Sequence, residues 1–325
     1  MYPAAHEERP RAGLADRLRG LLFFPVSPFQ PDERVNPDVF REHLRARLAA
    51  GPGAVFACCG TGEFFSLDPD DFAALVSTAV QEVGGRVPVV AGIGYGTTLA
   101  RHFVHAAEQA GVDGLLVMPP YLVDGGQAGL RRHYDSLADS TGLDLILYQR
   151  DNAIFAPATV VALARRPNVI GFKDGYGDLD LLQRIIGAVR VSGLAAGFRF
   201  FNGLPTAEVT GLAYLAMGVS LYSSAVFCFA PDIAMEFHDA LRRGDGARVN
   251  LLLDAFYQPF AELRRLRAGY SVSLVKASVR AQGLDVGPVR PPLTEPEEDH
   301  VKQVAALVEQ ARRLLADQPP GPVTG

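Results

Sequence analysis

The feature that most limits what this chain can become is an alternation. Short apolar runs of strand type recur about eight times, each followed by an amphipathic segment of helical period. The runs are "GLLFFPVSPF", "AVFACCG", "VPVVAGIG", "DGLLVMPP", "LDLILYQR", "NVIGFKDG", "FRFFNGLP" and "VSLYSSAV". Each holds about four to eight residues of apolar core between turn formers, and they read as strands buried on both faces. Between them lie helical patterns such as "DPDDFAALVSTAVQEV" and "TTLARHFVHAAEQAG", opened by Asn, Asp or Thr and closed by Gly. Strand-then-helix units repeated over roughly 220 residues predict an α/β chain whose size and connectivity fit a (β/α)8 TIM barrel. A doubly wound open sheet is the competing arrangement, because periodicity does not show closure. The expected organisation is a polar N-terminal extension over 1–19, the barrel over 20–235, a C-terminal helical region over 236–316 and a disordered tail over 317–325. In the third of these, helices are expected at about 247–267, 271–282 and 296–316.

Composition removes several functional classes. The chain has 325 residues, 48% of them hydrophobic, enough for a large core. Its net charge of -5 is modest and both signs are interspersed, so no basic face suits nucleic acid and no polybasic cluster suits anionic lipid. A small molecule is the expected partner. The first twenty residues carry charge throughout and lack a signal-type apolar region, and no later window reaches membrane-spanning length, so a cytoplasmic location is expected. Cys58, Cys59 and Cys228 are odd in number, sit in apolar contexts and read as buried thiols.

On a barrel, active sites form where strands end and the following loops begin. Ser27 ends the first strand, "GTGEF" (60 to 64) follows the second, and Tyr148, Gln149 and Arg150 end the fifth. Lys173 ends the sixth, Asn202 and Gly203 the seventh, and Tyr222, Ser223 and Ser224 the eighth. Lys173 stands out because the 31 basic residues include only three lysines, Lys173, Lys276 and Lys302. Arg is effectively never deprotonated, whereas a lysine amine can become neutral and attack a carbonyl. A strand-end lysine with its head in water is the plainer reading. The convergence of Lys173 with Tyr148 at one mouth favours chemistry, with Lys173 forming an imine and Tyr148 relaying its protons. Arg150 suits a substrate carboxylate or a local acid such as Asp174. The glycines Gly60 and Gly62 allow close backbone approach beside the Thr61 hydroxyl, so this turn suits a carboxylate, while Glu63 reads as a helix cap or a partner for a neighbouring loop.

Other signals carry less. "GIGYGTT" (92 to 98) lacks the spacing of a nucleotide loop. His102 and His105 have no third ligand and read as a solvated helix face. Lys276 and Lys302 fall in the helical tail, where packing and solubility explain them. No metal and no cofactor are expected.

With "FPVSPF", "GTGEFFSL", the strand-five Tyr148 and the strand-six Lys173, the chain resembles the dihydrodipicolinate synthase and N-acetylneuraminate lyase superfamily of Schiff-base-forming barrels, from about residue 20 to 315. "LYQRDNA", "GFKDG" and "LPTAE" are most similar to the branch that dehydrates and decarboxylates a keto-deoxy sugar diacid. The resemblance implies Lys173 as the imine lysine, Tyr148 as the proton relay, Thr61 and its loop as the seat of the carboxylate beside the ketone, and a homotetramer or related oligomer. Ser27, Arg150, Asn202, Ser223 and Ser224 are the further candidates for substrate binding, with Asn202 and the two serines for the distal hydroxyls and second carboxylate. "PPYLVDGG" places Leu122 after Tyr121, where the synthase branch has a tyrosine pair. A retro-aldol lyase acting on a 2-keto-3-deoxy sugar acid and a non-catalytic sugar-acid sensor are the competing functions.

Overall fold

In a computed structural model, residues 13–317 are described. The first twelve residues and the expected tail from 318 onward lie outside them. A short helix α1 (Leu14–Arg17) precedes eight strand and helix units: β1 (Leu22–Phe23) with α2 (Pro37–Leu48), β2 (Ala54–Ala57) with α3 (Pro69–Val83), β3 (Val89–Ile93) with α4 (Thr97–Ala110), and β4 (Gly114–Val117) with α5 (Gly126–Ala138). β5 (Asp144–Gln149) with α6 (Pro157–Ala164), β6 (Val169–Asp174) with α7 (Leu179–Val191), β7 (Arg199–Asn202) with α8 (Gly211–Ala216), and β8 (Leu221–Ser224) with α9 (Pro231–Arg243) complete them.

Every strand pairs in parallel with the next, and β8 returns to β1 through Leu22 opposite Ser223 and Phe23 opposite Ser224. The sheet is therefore a closed (β/α)8 barrel. Local chemistry sets the helix starts: Asn36 and Asp178 cap α2 and α7, and Asp68 forms a reciprocal capping box with Asp71 at α3. Gly84, Gly111 and Gly244 end α3, α4 and α9 with positive φ, which a side chain would strain.

Strand alternation divides the core in two. Leu22, Phe24, Phe56, Leu116, Ile146, Phe201 and Leu221 fill the barrel, where Phe24 stacks on Phe56 at 4.6 Å between centroids. The opposite parity, including Phe23, Val55, Leu115, Leu147 and Phe172, packs under the helices. Each such Leu or Phe contributes roughly 1.5–3 kcal/mol on burial, and the two layers together hold the strand ends in place.

Beyond α9, α10 (Gly246–Leu252) runs through a π-helical turn at Leu253–Tyr257 into α11 (Gln258–Arg265). α12 (Tyr270–Ala281) and α13 (Glu298–Asp317) follow. The end of α11 and the first turn of α12 reach the C-terminal mouth of the barrel, where Arg264, Ser271 and Val272 join the wall of a cavity.

Candidate active site

The mouth encloses a cavity of about 480 Å3. β5 and β6 are in register with Tyr148 opposite Lys173, and strand parity aims both inward. Lys173 is 4% exposed, and its Nζ stands 3.9 Å from the centroid of the Tyr148 ring and 5.2 Å from that of Phe24. Two glycines make room for this pair. A Cβ on Gly203 would lie 2.7 Å from Lys173 Nζ, and one on Gly175 would lie 2.9 Å from the Tyr148 hydroxyl oxygen.

The Tyr148 hydroxyl donates to the Gly203 carbonyl at 3.2 Å and accepts weakly from Arg150 at 3.5 Å. Burial alone would push this phenol up. The cations of Lys173 and Arg150 more than offset it and hold its pKa below the ordinary tyrosine value. Cys59 also lines the cavity, but burial pushes its thiol up to about 12, so it stays protonated near neutral pH. Among the described residues no cluster of three His, Cys, Asp or Glu has metal-holding geometry.

Gly60 and Thr61 line the same cavity as the amine, and their backbone amides donate to no protein acceptor among the described residues. Free amides beside a hydroxyl are groups able to donate to an anion. The loop is held from behind. Glu63 adopts φ 53°, an uncommon conformation for a side-chain-bearing residue, and its carboxylate accepts from Lys276 Nζ at 2.8 Å and from the Arg290 amide at 3.1 Å. Glu63 and Lys276 are both fully buried. Glu63 therefore does not cap α3, a role taken by Asp68, and Lys276 is a structural ion-pair partner rather than a packing or solubility residue. Lys302 is exposed and pairs with Glu298 on the same helix. Glu33, Cys58, Tyr95, Leu122 and Asp151 also have positive φ, and of these Tyr95, Leu122 and Asp151 line the cavity.

Several expected contacts do not occur at the cavity. Ser27 is buried and its hydroxyl donates to the Gly62 carbonyl at 2.6 Å, bracing the turn after β2; neither residue lines the cavity. Asn202 and Ser224 carry the outward parity of β7 and β8. Asn202 ties the loop after β7 through Ala207 and Thr210, and Ser224 donates to the buried Glu208 at 2.5 Å. Ser223 has the inward parity and lines the cavity. Arg150 lines it too, paired with Asp151 at 3.2 Å and not with Asp174, which faces outward to Gln149 and Tyr214.

Arg264 and Ser271 complete the wall from the C-terminal region. Their signal in the sequence is faint: Arg264 lies four residues after Phe260, on the apolar face of α11, whereas its neighbour Arg265 points to solvent. The three cysteines are buried and unpaired, and His102 and His105 are exposed on α4.

The sequence profile of the dihydrodipicolinate synthetase family matches residues 17–311. Over 309 residues the chain is 61% identical to a Streptomyces avermitilis protein named probable 5-dehydro-4-deoxyglucarate dehydratase 1, across 94% of this chain and 98% of that one. It is 60% identical over 309 residues to a Streptomyces griseus protein named probable 5-dehydro-4-deoxyglucarate dehydratase, across 94% and 97%. Among solved structures, a prophage protein of E. coli K12, of the dihydrodipicolinic acid synthase family and in complex with pyruvate, superposes with a TM-score of 0.80 at 26% identity, covering 90% of this chain and 98% of that one.

Proposed function

The chain belongs to the dihydrodipicolinate synthetase family, and from that membership we propose that it is a Schiff-base-forming lyase which dehydrates and decarboxylates 5-dehydro-4-deoxy-D-glucarate to 2,5-dioxopentanoate, carbon dioxide and water. The observation that carries the reading is the buried Lys173 amine, which faces the cavity against Tyr148, in a cavity also lined by Gly60 and Thr61 with their free amides. The relatives that share about three residues in five with this chain bear the name of that dehydratase.

In this mechanism the carboxylate beside the ketone sits on the Gly60 and Thr61 amides, which brings the carbonyl carbon to Lys173. The amine attacks in its neutral form. Tyr148, with its depressed pKa, takes a proton from the amine and returns it to the carbinolamine hydroxyl, which leaves as water. The iminium acidifies the adjacent methylene. Loss of that proton gives an enamine, which expels the next hydroxyl and yields a conjugated iminium. The bond to the far carboxylate then breaks, its electron pair enters the conjugated system, and carbon dioxide departs. The resulting dienamine takes up a proton at the carbon next to the nitrogen-bearing one, which restores the iminium; its far end is an enol that tautomerises to the aldehyde, and water hydrolyses the iminium to release the product and regenerate the amine.

Incubation with 5-dehydro-4-deoxyglucarate tests the reading, with equimolar carbon dioxide and 2,5-dioxopentanoate expected. Pyruvate among the products would replace it with a retro-aldol lyase, and tight binding without turnover with a sensor.

A homo-oligomer, most simply a tetramer, accompanies this function. The supporting feature is the loop after β4, where Tyr121, Leu122 and Val123 stand 65%, 80% and 59% exposed beside the mouth. Light scattering that returned a monomer mass at working concentration would contradict it. No helix among the described residues is long and apolar enough to cross a membrane, and a cytoplasmic enzyme is the assignment consistent with a sugar-acid substrate.

A further inference from the structure

The proposed substrate carries two carboxylates, and the Gly60–Thr61 seat accounts for one. We propose that Arg264, assisted by Ser223 and Ser271, receives the second, so that this arginine from the C-terminal helical region is what makes the cavity select six-carbon diacids over monoacids. The assignment rests on the imine reading above and extends it to the far end of the substrate.

The argument begins from an uncompensated charge. Arg264 is 7% exposed and lines the cavity. Its guanidinium donates to the Pro205 carbonyl, to Thr206 Oγ1 at 3.0 Å and to the Ser271 carbonyl at 2.6 Å, and its Nε–H meets no acceptor among the described residues. Each of those partners is neutral, and among the described residues no carboxylate forms an ion pair with it. A buried guanidinium is normally paired with an anion, because desolvation of the charge is unfavourable unless an opposite charge compensates it.

Glu208 is the acid whose charge Arg264 feels, but it is a weak counter-ion. Its Oε1 is taken by Ser224, and burial raises its pKa to about 7. Burial likewise draws Arg264 down to about 10, still charged near neutral pH. The positive charge at the cavity wall therefore remains to be met by something that enters the cavity.

The neighbouring groups suit a carboxylate. Ser223 carries the inward parity of β8, and Ser271 sits in the first turn of α12, where the helix dipole favours an anion. Arg150 is the other arginine on the wall, but its side chain is 41% exposed and already holds Asp151. In the reaction proposed above, a fixed far carboxylate also fixes the bond that breaks when carbon dioxide leaves. The departing molecule is uncharged, so Arg264 loses its counter-ion at that step and the product is no longer held at this end.

The test uses two ketoacids that differ only at the far end. 2-Oxoadipate has the substrate's carbon skeleton without its hydroxyls, and 2-oxohexanoate replaces the far carboxylate with a methyl group. Borohydride trapping on Lys173, read by mass, should half-saturate at a concentration at least about 30-fold lower for 2-oxoadipate in the unaltered enzyme. Arg264→Gln should reduce that preference to within about threefold while still trapping 2-oxohexanoate. The ratio is taken within one folded protein, so a general loss of stability cancels. Should the glutamine variant not fold, Arg264→Lys keeps the charge and is expected to lower the ratio at least about fivefold, through loss of the planar fork. An unchanged preference in the variant that folds, or no preference in the unaltered enzyme, overturns the assignment. No adduct with either acid in the unaltered enzyme sinks the imine reading, and the assignment with it.

Discussion

Lys173 and Tyr148 are register partners on adjacent barrel strands, and the lysine Nζ stands 3.9 Å from the centroid of the tyrosine ring. A cation above an aromatic face is an attractive arrangement in its own right, so Lys173→Arg retains a charge near the ring while removing the attacking amine. Turnover should fall to background in both Lys173→Arg and Lys173→Ala. Borohydride treatment with pyruvate should add mass to the unaltered chain and to neither variant.

Gly203 is where packing and chemistry meet. A Cβ there would lie 2.7 Å from Lys173 Nζ, 2.8 Å from its Cγ and 2.9 Å from the Asp174 carbonyl. The backbone carbonyl cannot swing aside, so the lysine side chain must. Gly203→Ala is expected to lower kcat by ~10²-fold through misplacement of the amine, and to destabilise the fold by only ~1–3 kcal/mol. A variant with normal kcat would show that the amine has more freedom than the close approach allows.

Tyr148 owes its depressed pKa to two cations acting against burial. Tyr148→Phe removes the proton relay and should slow turnover by ~10²- to 10⁴-fold, leaving the Lys173 amine in place. Arg150→Gln removes one of the two cations, so the phenol should titrate at higher pH. The difference in phenolate absorbance between each protein and its Tyr148→Phe counterpart reads that titration directly. A downward shift on loss of Arg150 would contradict the electrostatic account.

Much of this architecture is legible in the sequence, because two signals are periodic. Eight apolar runs separated by capped helices give the (β/α)8 order, and the strand ends give the mouth. Closure is not periodic; it appears only in the pairing of β1 with β8. Parity explains the mixed outcome at the site. Asn202 and Ser224 stand next to the inward Phe201 and Ser223, and a one-residue step along a strand turns a side chain to the other face. Lys276 and Arg264 were hidden for another reason: their partners, Glu63 and the β7 loop, are 213 and about 60 residues away, and no local pattern encodes such a contact.

The Glu63–Lys276 pair shows how the C-terminal helices serve the mouth. Both groups are fully buried, so Lys276→Ala leaves a carboxylate without its cation at the root of the Thr61 loop. Removing one partner of such a pair typically costs 3–5 kcal/mol, measurable as a lowered denaturant midpoint. Lys302→Ala, whose ammonium pairs with Glu298 at the surface, should stay within about 0.5 kcal/mol of the parent. Equal effects of the two substitutions would mean that the buried pair has no special role.

His43 supplies a pH dependence whose sign can be worked out. It is fully buried on α2 against Phe23, with ring centroids 5.4 Å apart, and neither ring nitrogen meets a partner among the described residues. Burial, aided by Arg47, lowers its pKa from 6.5 to about 3. Between those values the unfolded chain binds a proton that the folded chain refuses, so stability is intact above pH 6.5 and is lost as pH falls towards 3. At about 1.4 kcal/mol per pH unit, the whole window is worth roughly 5 kcal/mol. Glu208 works in the opposite direction: its pKa is raised from 4.5 to about 7, so its contribution declines as pH rises through that range. A single stability curve would blend the two. Comparison with His43→Phe separates them, because Glu208 is common to both proteins. The variant should gain on the parent steadily as pH is lowered from 7 to 4.5, and a constant difference between their urea midpoints across that range would show that His43 takes up its proton without unfolding.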